Sequence, residues 1–302
     1  MESWYKIKEQ SAGVFRLKLL WLIYKIFGLR FLKICLMPIV FVIYLFAKPA
    51  RCASKEYKKI LFNYAKDNNI KVKNFSSFSH ILNYAFSLSD KMSAICDDKP
   101  KIKFEVEENK SWNSFKECLN NNKGVFLISS HLGNIESFCA FPKYNHINFN
   151  KTLHALMEIN QSSIFHKFIE ERTKNSFFKL YSSKDLNFET IMSLYEDVLN
   201  GDMLLMAGDR VSSNNENKII IVNILDKICK FPLGTFKYAK KIDVPTFGII
   251  VVSVGLNKYK VIFQKLNLHD DIKIIAQSFA KFLEKNIIKY PKNWFNFYRY
   301  FD

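Results

Sequence analysis

A short run of four apolar residues, 125–128, stands near the middle of the chain. Uninterrupted apolar runs of this length are typical of β-strands that are buried on both faces of a sheet. Two serines end the run, and His131 follows them where α/β sheets place their ligand crevices. Gly133 allows a sharp turn, Asn134 favours the start of a helix, and Glu136 falls in the first turn of that helix.

The rest of the chain predicts a sheet around this run. Strand-like and helix-like patterns alternate downstream of Glu136 in a β-α-β-α-β order, which indicates parallel strands covered by helices. The predicted strands are 101–106, 125–128, 152–157, 177–181, 203–207, 219–225, 228–231, 244–254 and 259–263; the predicted helices are two within 54–98 and single ones at 112–120, 162–174, 186–199, 231–241 and 270–290. The fold class predicted from these elements is α/β, with a mixed, mainly parallel central sheet flanked by helices.

The first fifty residues have a different pattern, with apolar stretches that carry basic side chains. Residues 14–27 are apolar with embedded cations, which is typical of an amphipathic helix at a membrane surface. Residues 34–47 contain no charge, but a full membrane span needs about 20 apolar residues. A span would therefore have to include Arg30 and Lys33, whose side chains would snorkel to the surface, and Pro38 would kink it.

We therefore expect residues 1–53 to be a basic, apolar, membrane-associating segment, folded as a helix pair that lies in or dips into the cytoplasmic leaflet. A true span and a buried core helix remain as alternatives. The lysines and arginines on both sides of the apolar run give no positive-inside asymmetry that would decide among them. Residues 54–302 are expected to form the folded domain.

The chain carries a formal net charge of +17, which suits an acidic partner such as anionic lipid, nucleic acid or an acidic carrier protein. A composition rich in Lys, Asn, Ile and Phe also arises from AT-rich coding, so the charge alone assigns no partner. Because no RRM, KH or helix-turn-helix signature accompanies the charge, we expect no nucleic-acid partner. The six cysteines lack CxxC spacing and are interpreted as reduced thiols of a cytosol-facing protein.

His131 and Glu136 form the candidate catalytic pair. A carboxylate bonded to one imidazole nitrogen fixes the tautomer and leaves the other nitrogen free as a general base. A regular helix would not align two residues five positions apart, but a turn followed by a helix start would. The alternative is a core histidine with satisfied hydrogen bonds and a glutamate favoured by the helix dipole. His131 with His154 or His166 fits no zinc-ligand spacing, so no metal is expected.

Four sequence blocks stand in order: HLGNIE at 131–136, GDR at 208–210, FPLGTFKYAKKIDVPTF at 231–247 and YPKNWFNFY at 290–298. Together with the N-terminal segment, they resemble the lipid A biosynthesis acyltransferase family of the lysophospholipid acyltransferase superfamily. The aromatic ending is most similar to a branch of uncharacterised predicted acyltransferases within it, rather than to the lauroyl and myristoyl transferases. The resemblance covers most of the chain and implies a glycerol-3-phosphate acyltransferase-like fold, with 54–302 as the acyltransferase domain.

The resemblance also implies roles for individual residues. His131 matches the family's catalytic base, and Glu136 matches the acidic residue of an H-x4-D/E motif that would hold it. The candidate substrate-binding residues are Gly133, Asn134, Asp209, Arg210, Phe231, Pro232, Gly234 and Thr235. Arg210 suits a phosphate of the donor or acceptor, or else forms a local structural pair with Asp209. Members that act on lipid A often have Gln where Arg210 stands and an aromatic residue near Ile135, and this chain departs from both.

The implied reaction moves a fatty acyl chain from a thioester, on acyl carrier protein or coenzyme A, to a hydroxyl of a membrane lipid or glycolipid such as a lipid A precursor. His131 would take the hydroxyl proton during attack on the thioester carbonyl, and backbone N–H groups around Gly133 and Asn134 would stabilise the oxyanion. No cofactor is implied besides the thioester co-substrate. The expected partners are the lipid acceptor, the thioester donor and an anionic membrane surface, at the cytoplasmic face of the bacterial inner membrane.

Two other functions compete with this one. The first is a non-catalytic, membrane-bound lipid-binding or scaffold protein that keeps the acyltransferase fold. The second is a serine-type lipid hydrolase, which would need a G-x-S-x-G elbow that is missing around Ser129 and Ser130. The aromatic residues within 294–298 are interpreted either as core or as the lining of an acyl tunnel or membrane interface.

Overall fold

The computed structural model describes residues 14–142, 151–157, 177–182, 187–211 and 218–301. The helices within these ranges are α1 (Val14–Phe46), α2 (Lys48–Asp67), α3 (Ser77–Cys96), α4 (Lys110–Asn120), α5 (Phe188–Leu199), α6 (Leu233–Ile242) and α7 (Ile272–Lys289). The strands are β1 (Lys103–Val106), β2 (Val125–Ser129), β3 (Leu153–Met157), β4 (Phe178–Ser182), β5 (Met203–Ala207), β6 (Ile219–Ile224), β7 (Lys227–Pro232), β8 (Thr246–Gly255) and β9 (Lys258–Lys265). The helix predicted at 162–174 lies outside the described residues.

Seven of the strands form one sheet in the order β1-β9-β8-β2-β5-β3-β4. The strands β8, β2, β5, β3 and β4 are mutually parallel, whereas β9 runs antiparallel to β8 and carries β1 parallel to itself. The strands β6 and β7 form a separate antiparallel hairpin. The predicted α/β class, with a mixed and mainly parallel central sheet, is therefore confirmed.

The apolar run in β2 is uninterrupted because both faces of the sheet are covered. Val125 and Leu127 belong to the core on the face where α1, α3 and α4 pack. Phe126 and Ile128 belong to the core on the opposite face, with residues of α2, α6 and α7. All four side chains are fully buried, and each contributes roughly 1.5–3 kcal/mol of transfer free energy. The central position of β2 fixes where its carboxyl end, and therefore His131, emerges.

Helix α1 packs lengthwise against α3 and is part of the folded domain. It breaks at Gly28, whose φ of 82° and ψ of 176° are not helical. Before the break, the Tyr24 hydroxyl donates a hydrogen bond to Asp97. Beyond it, the ammonium of Lys33 donates to Asp90 at 2.7 Å. Lys33, which a membrane span would have to bring to the surface, is instead buried and ion-paired; a buried ammonium is stable only beside such a partner.

The outward face of α1 is apolar and uncovered. The range Lys18–Phe46 is long and apolar enough to cross a membrane by length and composition. Large hydrophobic side chains exposed on it are Leu19, Leu22, Ile26, Phe27, Phe31, Ile34, Met37, Ile39, Phe41, Val42, Ile43, Leu45 and Phe46. A buried core helix, one of the alternatives above, would not expose such a face. The apolar face is available as a membrane anchor.

Candidate active site

His131 and Asp209 meet at the carboxyl edge of the sheet. Strands β2 and β5 are adjacent and parallel, with Ser129 in register with Ala207. The N–H of Gly208 donates to the Ser129 carbonyl at 2.9 Å, so the two strands stay paired up to their ends. The residues that follow each strand are therefore brought side by side, as the carboxyl ends of parallel strands require.

Asp209 holds His131 by two hydrogen bonds. One carboxylate oxygen accepts the His131 backbone N–H at 2.8 Å, and the other accepts Nδ1–H of the imidazole at 2.9 Å. Burial tends to raise the pKa of Asp209, but the charges of His131 and Arg210 and the bonds from His131 outweigh it and hold the pKa below its ordinary value. The carboxylate is fully buried, whereas the His131 side chain is 37% exposed.

The bond to Asp209 determines the tautomer of His131. An ionised carboxylate only accepts hydrogen bonds, so Nδ1 of a neutral imidazole must carry the proton and Nε2 must carry the lone pair. Among the residues that the structure describes, no group forms a hydrogen bond with Nε2. The arrangement suits a general base: a buried carboxylate fixes one nitrogen, and the other has no hydrogen-bond partner among the described residues.

Glu136 lies in the first turn of a helix, as predicted, but its partner is not His131. It falls in a short 3₁₀ helix, Ile135–Ala140, and forms an ion pair with Lys91 of α3. The carboxylate bonded to Nδ1 of His131 is that of Asp209, so the prediction that Glu136 orients His131 is corrected in favour of Asp209. Sequence spacing favoured the nearer carboxylate, but strand pairing brings a residue 78 positions away into contact.

The turn at Gly133 and Asn134 has a structural role. Gly133 has a φ of +91°, and a Cβ there would lie 2.1 Å from the Val251 carbonyl oxygen, so only glycine fits. Its N–H donates to the Asn293 carbonyl at 2.8 Å, and the N–H of Asn134 donates to Val251 at 2.7 Å. The side-chain amide of Asn134 donates to Ser87 instead of capping a helix. The prediction that these two N–H groups serve the oxyanion is therefore wrong, because both are already paired.

The C-terminal segment, residues 293–301, closes over the edge of the sheet. The N–H of Phe295 donates to the His131 carbonyl at 3.0 Å, and Leu132 forms an antiparallel bridge with Trp294. The Tyr300 hydroxyl donates to the backbone carbonyl of Asp209 at 2.9 Å. The segment thus fixes the backbone on both sides of the His131–Asp209 pair. Sequence reasoning missed this role; the dense aromatic ending was the available signal, and Trp294 itself is fully buried.

Arg210 is bonded to the same C-terminal segment. Its Nε donates to the Asn296 side-chain oxygen at 2.6 Å, and its Nη2 donates to the Phe295 carbonyl at 2.9 Å. The guanidinium also lies 5.3 Å from the centre of the Tyr298 ring. Of the two alternatives for Arg210, these contacts favour a structural role, although its partner is the C-terminal segment rather than Asp209 alone.

The block at 231–235 contributes mainly to the core. Phe231 is fully buried and stacks on Phe236 at 6.1 Å between ring centres. Thr235 donates its hydroxyl to the Ala207 carbonyl at 2.8 Å, which ties α6 to the end of β5 just before Asp209. Pro232 ends β7, and Gly234 faces open space. Thr235 is therefore the residue of this block that supports the candidate site.

A second histidine–carboxylate group lies at the other edge of the sheet. His154 of β3 pairs in register with Leu204, five residues before Asp209 and about 16 Å away along the strand. Its Nε2 donates to Asp202 at 3.0 Å and lies 3.7 Å from Asp197. Within the described ranges, these three residues are the group whose ligand atoms lie within 4.8 Å of one another. His154 is thus too far from His131 to share a metal with it, and His166 is outside the described residues.

The comparison with protein families identifies the family of the chain. A family model described as "Bacterial lipid A biosynthesis acyltransferase" matches residues 20–302. The chain belongs to this family of acyltransferases, as its sequence blocks predicted. A comparison with curated proteins found no match.

Proposed function

We propose that the protein transfers a fatty acyl chain from an acyl thioester, on acyl carrier protein or coenzyme A, to a hydroxyl of a membrane lipid or glycolipid such as a lipid A precursor. The observation that carries the proposal is the His131–Asp209 pair, in which the buried carboxylate fixes Nδ1–H and the imidazole side chain is 37% exposed. The family match supports the class of reaction.

In the proposed step, Nε2 of His131 takes the proton of the acceptor hydroxyl while its oxygen attacks the thioester carbonyl. The C–O bond forms, the C–S bond breaks, and the departing thiolate leaves with the proton that His131 has accepted. General base catalysis of this kind contributes roughly 10²–10⁴-fold to the rate. Asp209 stabilises the imidazolium that forms during the step.

Direct transfer is favoured over a covalent acyl-enzyme. The hydroxyl of Ser129 is buried, 3.4 Å from the Met206 carbonyl. The buried hydroxyl of Ser130 accepts the N–H of Leu132 at 3.2 Å. Among the described residues, no basic side chain is a hydrogen-bond partner of either serine, and an activated nucleophile requires one.

We also propose that the protein works at the cytoplasmic face of the bacterial inner membrane. The exposed apolar face of α1 supports membrane binding, and the net charge of +17 supports an anionic surface. The reduced state of its cysteines is consistent with the cytosolic side; no disulfide forms among the six thiols.

The decisive experiment compares His131→Ala with wild type in acyl transfer from a thioester donor to a lipid extract. We expect a loss of about 10²–10⁴-fold, while His269→Ala, which removes an exposed histidine, serves as the control and retains activity. Mass spectrometry of lipids from cells with and without the gene identifies the acceptor and chain length together. An unchanged rate in His131→Ala would overturn its role as the general base, whereas a wild-type protein that transfers no acyl chain would favour the non-catalytic, lipid-binding alternative.

A further inference from the structure

We propose that a basic cavity beside the break in α1 binds the phosphate-bearing headgroup of an anionic phospholipid, while the apolar face of α1 lies in the same leaflet. The proposal deepens the membrane association proposed above, on which it rests, and is independent of the acyl-transfer chemistry. It names the chemical group that the protein would recognise at the membrane.

The cavity has a volume of about 380 Å³ and lies between residues 27–30 of α1, the approach to β1 and the turn from β8 to β9. Small-molecule sites have volumes of roughly 300–1,000 Å³. Four cationic side chains line it: Arg30, Lys101, Lys103 and Lys258. No acidic residue is among the described residues that line it, so its charge favours an anionic ligand.

The cations of the cavity lack acidic partners among the described residues. Within the part of the chain that the structure describes, none of the four forms an ion pair, whereas the nearby Lys25 and Lys33 both do. Lys103 of β1 stands directly opposite Lys258 of β9. Like charges in that position repel each other and destabilise the strand pair, and a bound phosphate would relieve the repulsion.

The frame around the cavity is fixed by buried bonds. The ammonium of Lys33 donates to the side-chain oxygen of Asn257 at 2.7 Å while also pairing with Asp90. The N–H of Lys103 donates to the Asn257 carbonyl at 2.8 Å. Helix α1, strand β1 and the β8–β9 turn are thus tied together at one residue, Asn257, so the cations are presented by a preformed scaffold.

Gly28 makes room for one of these cations. Its φ of +82° breaks α1, and the ammonium of Lys101 lies 3.6 Å from where a Cβ would stand. The same ammonium lies 5.9 Å from the centre of the Tyr24 ring, which orients it. The break in α1 therefore leaves space for the Lys101 side chain, which comes from the loop before β1, to lie beside the helix.

The cavity and the apolar face form one continuous surface on the catalytic edge. Strand β9 begins where β8 ends, and Val251 of β8 pairs with Gly133, two residues after His131. Strand β8 continues four residues past Val251 to Gly255, about 13 Å. Phe27 and Leu256, both more than half exposed, flank the cavity. An apolar belt beside a phosphate site is what an interfacial protein presents to a leaflet.

The geometry also favours an in-plane α1 over a span. Helix α1 contacts α3 from Tyr24, bonded to Asp97, to Tyr44, whose ring lies 5.5 Å from that of Phe78. A spanning α1 would have to leave α3 or draw its buried Asp90 into the bilayer. With α1 in the plane of the headgroups, these contacts persist and the cavity lies at the phosphate level.

The test is binding of the full-length protein to vesicles of phosphatidylcholine alone and of phosphatidylcholine with roughly one-third phosphatidylglycerol. The variant is Lys103→Gln/Lys258→Gln. The matched control is Lys281→Gln/Lys285→Gln, which removes the same charge from exposed positions of α7 on the opposite face of the sheet. We expect the cavity variant to weaken binding to the phosphatidylglycerol vesicles about tenfold. The control should weaken it less than about threefold.

Equal losses in the two double variants would overturn the proposal, since binding would then follow net charge alone. Unaltered binding of the cavity variant would overturn it as well. Arg30 is exposed, so the single substitution Arg30→Gln provides a second test if the double variant fails to fold. It should also weaken binding to the phosphatidylglycerol vesicles. The vesicle measurement does not depend on acyl transfer. If the acyltransferase proposal fails in the test with His131→Ala, the vesicle experiment still tests headgroup binding by itself.

Discussion

Among the residues that the structure describes, two histidine–aspartate groups lie at opposite edges of one sheet, and their burial is reversed. In the first, the Asp209 carboxylate is fully buried and the His131 side chain is 37% exposed. In the second, the His154 side chain is 1% exposed, whereas Asp202 and Asp197 are 24% and 40% exposed. The imidazole is thus the exposed partner in the first group, and the carboxylates are the exposed partners in the second.

The hydrogen bonds explain the difference. Asp202 takes Nε2–H of His154, so Nδ1 must accept the hydroxyl of Tyr181 at 3.1 Å, and both nitrogens are used. Asp202 also accepts the N–H of Thr152 at 3.0 Å, which ties the strand ends together. His131 has one nitrogen fixed and one available. A histidine can act as a general base only if one nitrogen is free to reach the proton of the substrate.

The largest expected effect separates the two carboxylates. Asp209→Asn should lower kcat about 10²–10⁴-fold, because an amide in its place no longer fixes Nδ1–H or stabilises the imidazolium. Asp202→Asn removes the equivalent group from His154 and should leave kcat within about threefold of wild type. Steady-state acyl transfer measures both. Comparable rates in the two variants would mean that Asp209 and Asp202 do not differ in their importance for catalysis.

A third histidine sharpens the comparison through pH. His80 has no carboxylate partner: Nε2–H donates to the Trp294 carbonyl at 2.8 Å, and Nδ1 accepts the Ser54 hydroxyl at 3.0 Å. Burial lowers the pKa of His80 to about 4, although the bond to Trp294 opposes the shift. The unfolded chain, with an ordinary pKa near ~6.5, binds the proton first. The stability that neutral His80 contributes is thus fully present above a pH of ~6.5 and is lost as the pH falls toward 4.

We therefore expect the free energy of unfolding to fall by on the order of 2 kcal/mol between pH 7 and pH 5 through His80. Urea unfolding at the two pH values measures the loss. His80→Gln should reduce this slope, because it removes the titrating group, while the exposed His269→Gln should not. A slope that is unchanged in His80→Gln would assign the pH dependence to other groups.

Removal of the second group should affect stability and spare catalysis. His154→Gln loses two buried hydrogen bonds and is expected to cost about 1–3 kcal/mol of unfolding free energy. The kcat of the folded protein should remain within about threefold of wild type. Thermal unfolding and acyl transfer, measured on one preparation, test both halves. A loss of kcat as large as that of His131→Ala would make His154 part of the catalytic site.

The smallest expected effect concerns Glu136. Glu136→Gln removes the ion pair with Lys91 but leaves the bonds between His131 and Asp209 intact. We expect less than about a tenfold loss in kcat, well below the range for loss of the general base. A loss equal to that of Asp209→Asn would restore Glu136 as the residue that orients His131, as its spacing in the sequence first suggested.

Much of the fold could be predicted from the sequence, because the position of each helix and strand depends on residues that are close together in the chain. The run at 125–128 is fully buried on both faces of the sheet, as uninterrupted apolar residues indicate. The breaks at 68–69 and 255–258 lie where polar or glycine residues separate helices and strands. Lys33 escaped prediction because its partner, Asp90, comes from a helix 57 positions away. Hydropathy alone could not reveal that pairing.

The candidate site shows the same division. The sequence by itself determined that His131 follows a buried strand and that Asp209 follows another, because strand identity is local. It could not determine which carboxylate holds the imidazole. Glu136 is five residues away along the chain, and Asp209 is 78, yet the adjacency of β2 and β5 sets the distance that matters for a hydrogen bond. Only the tertiary structure decides that adjacency, because strand order depends on how the whole chain packs around its two cores.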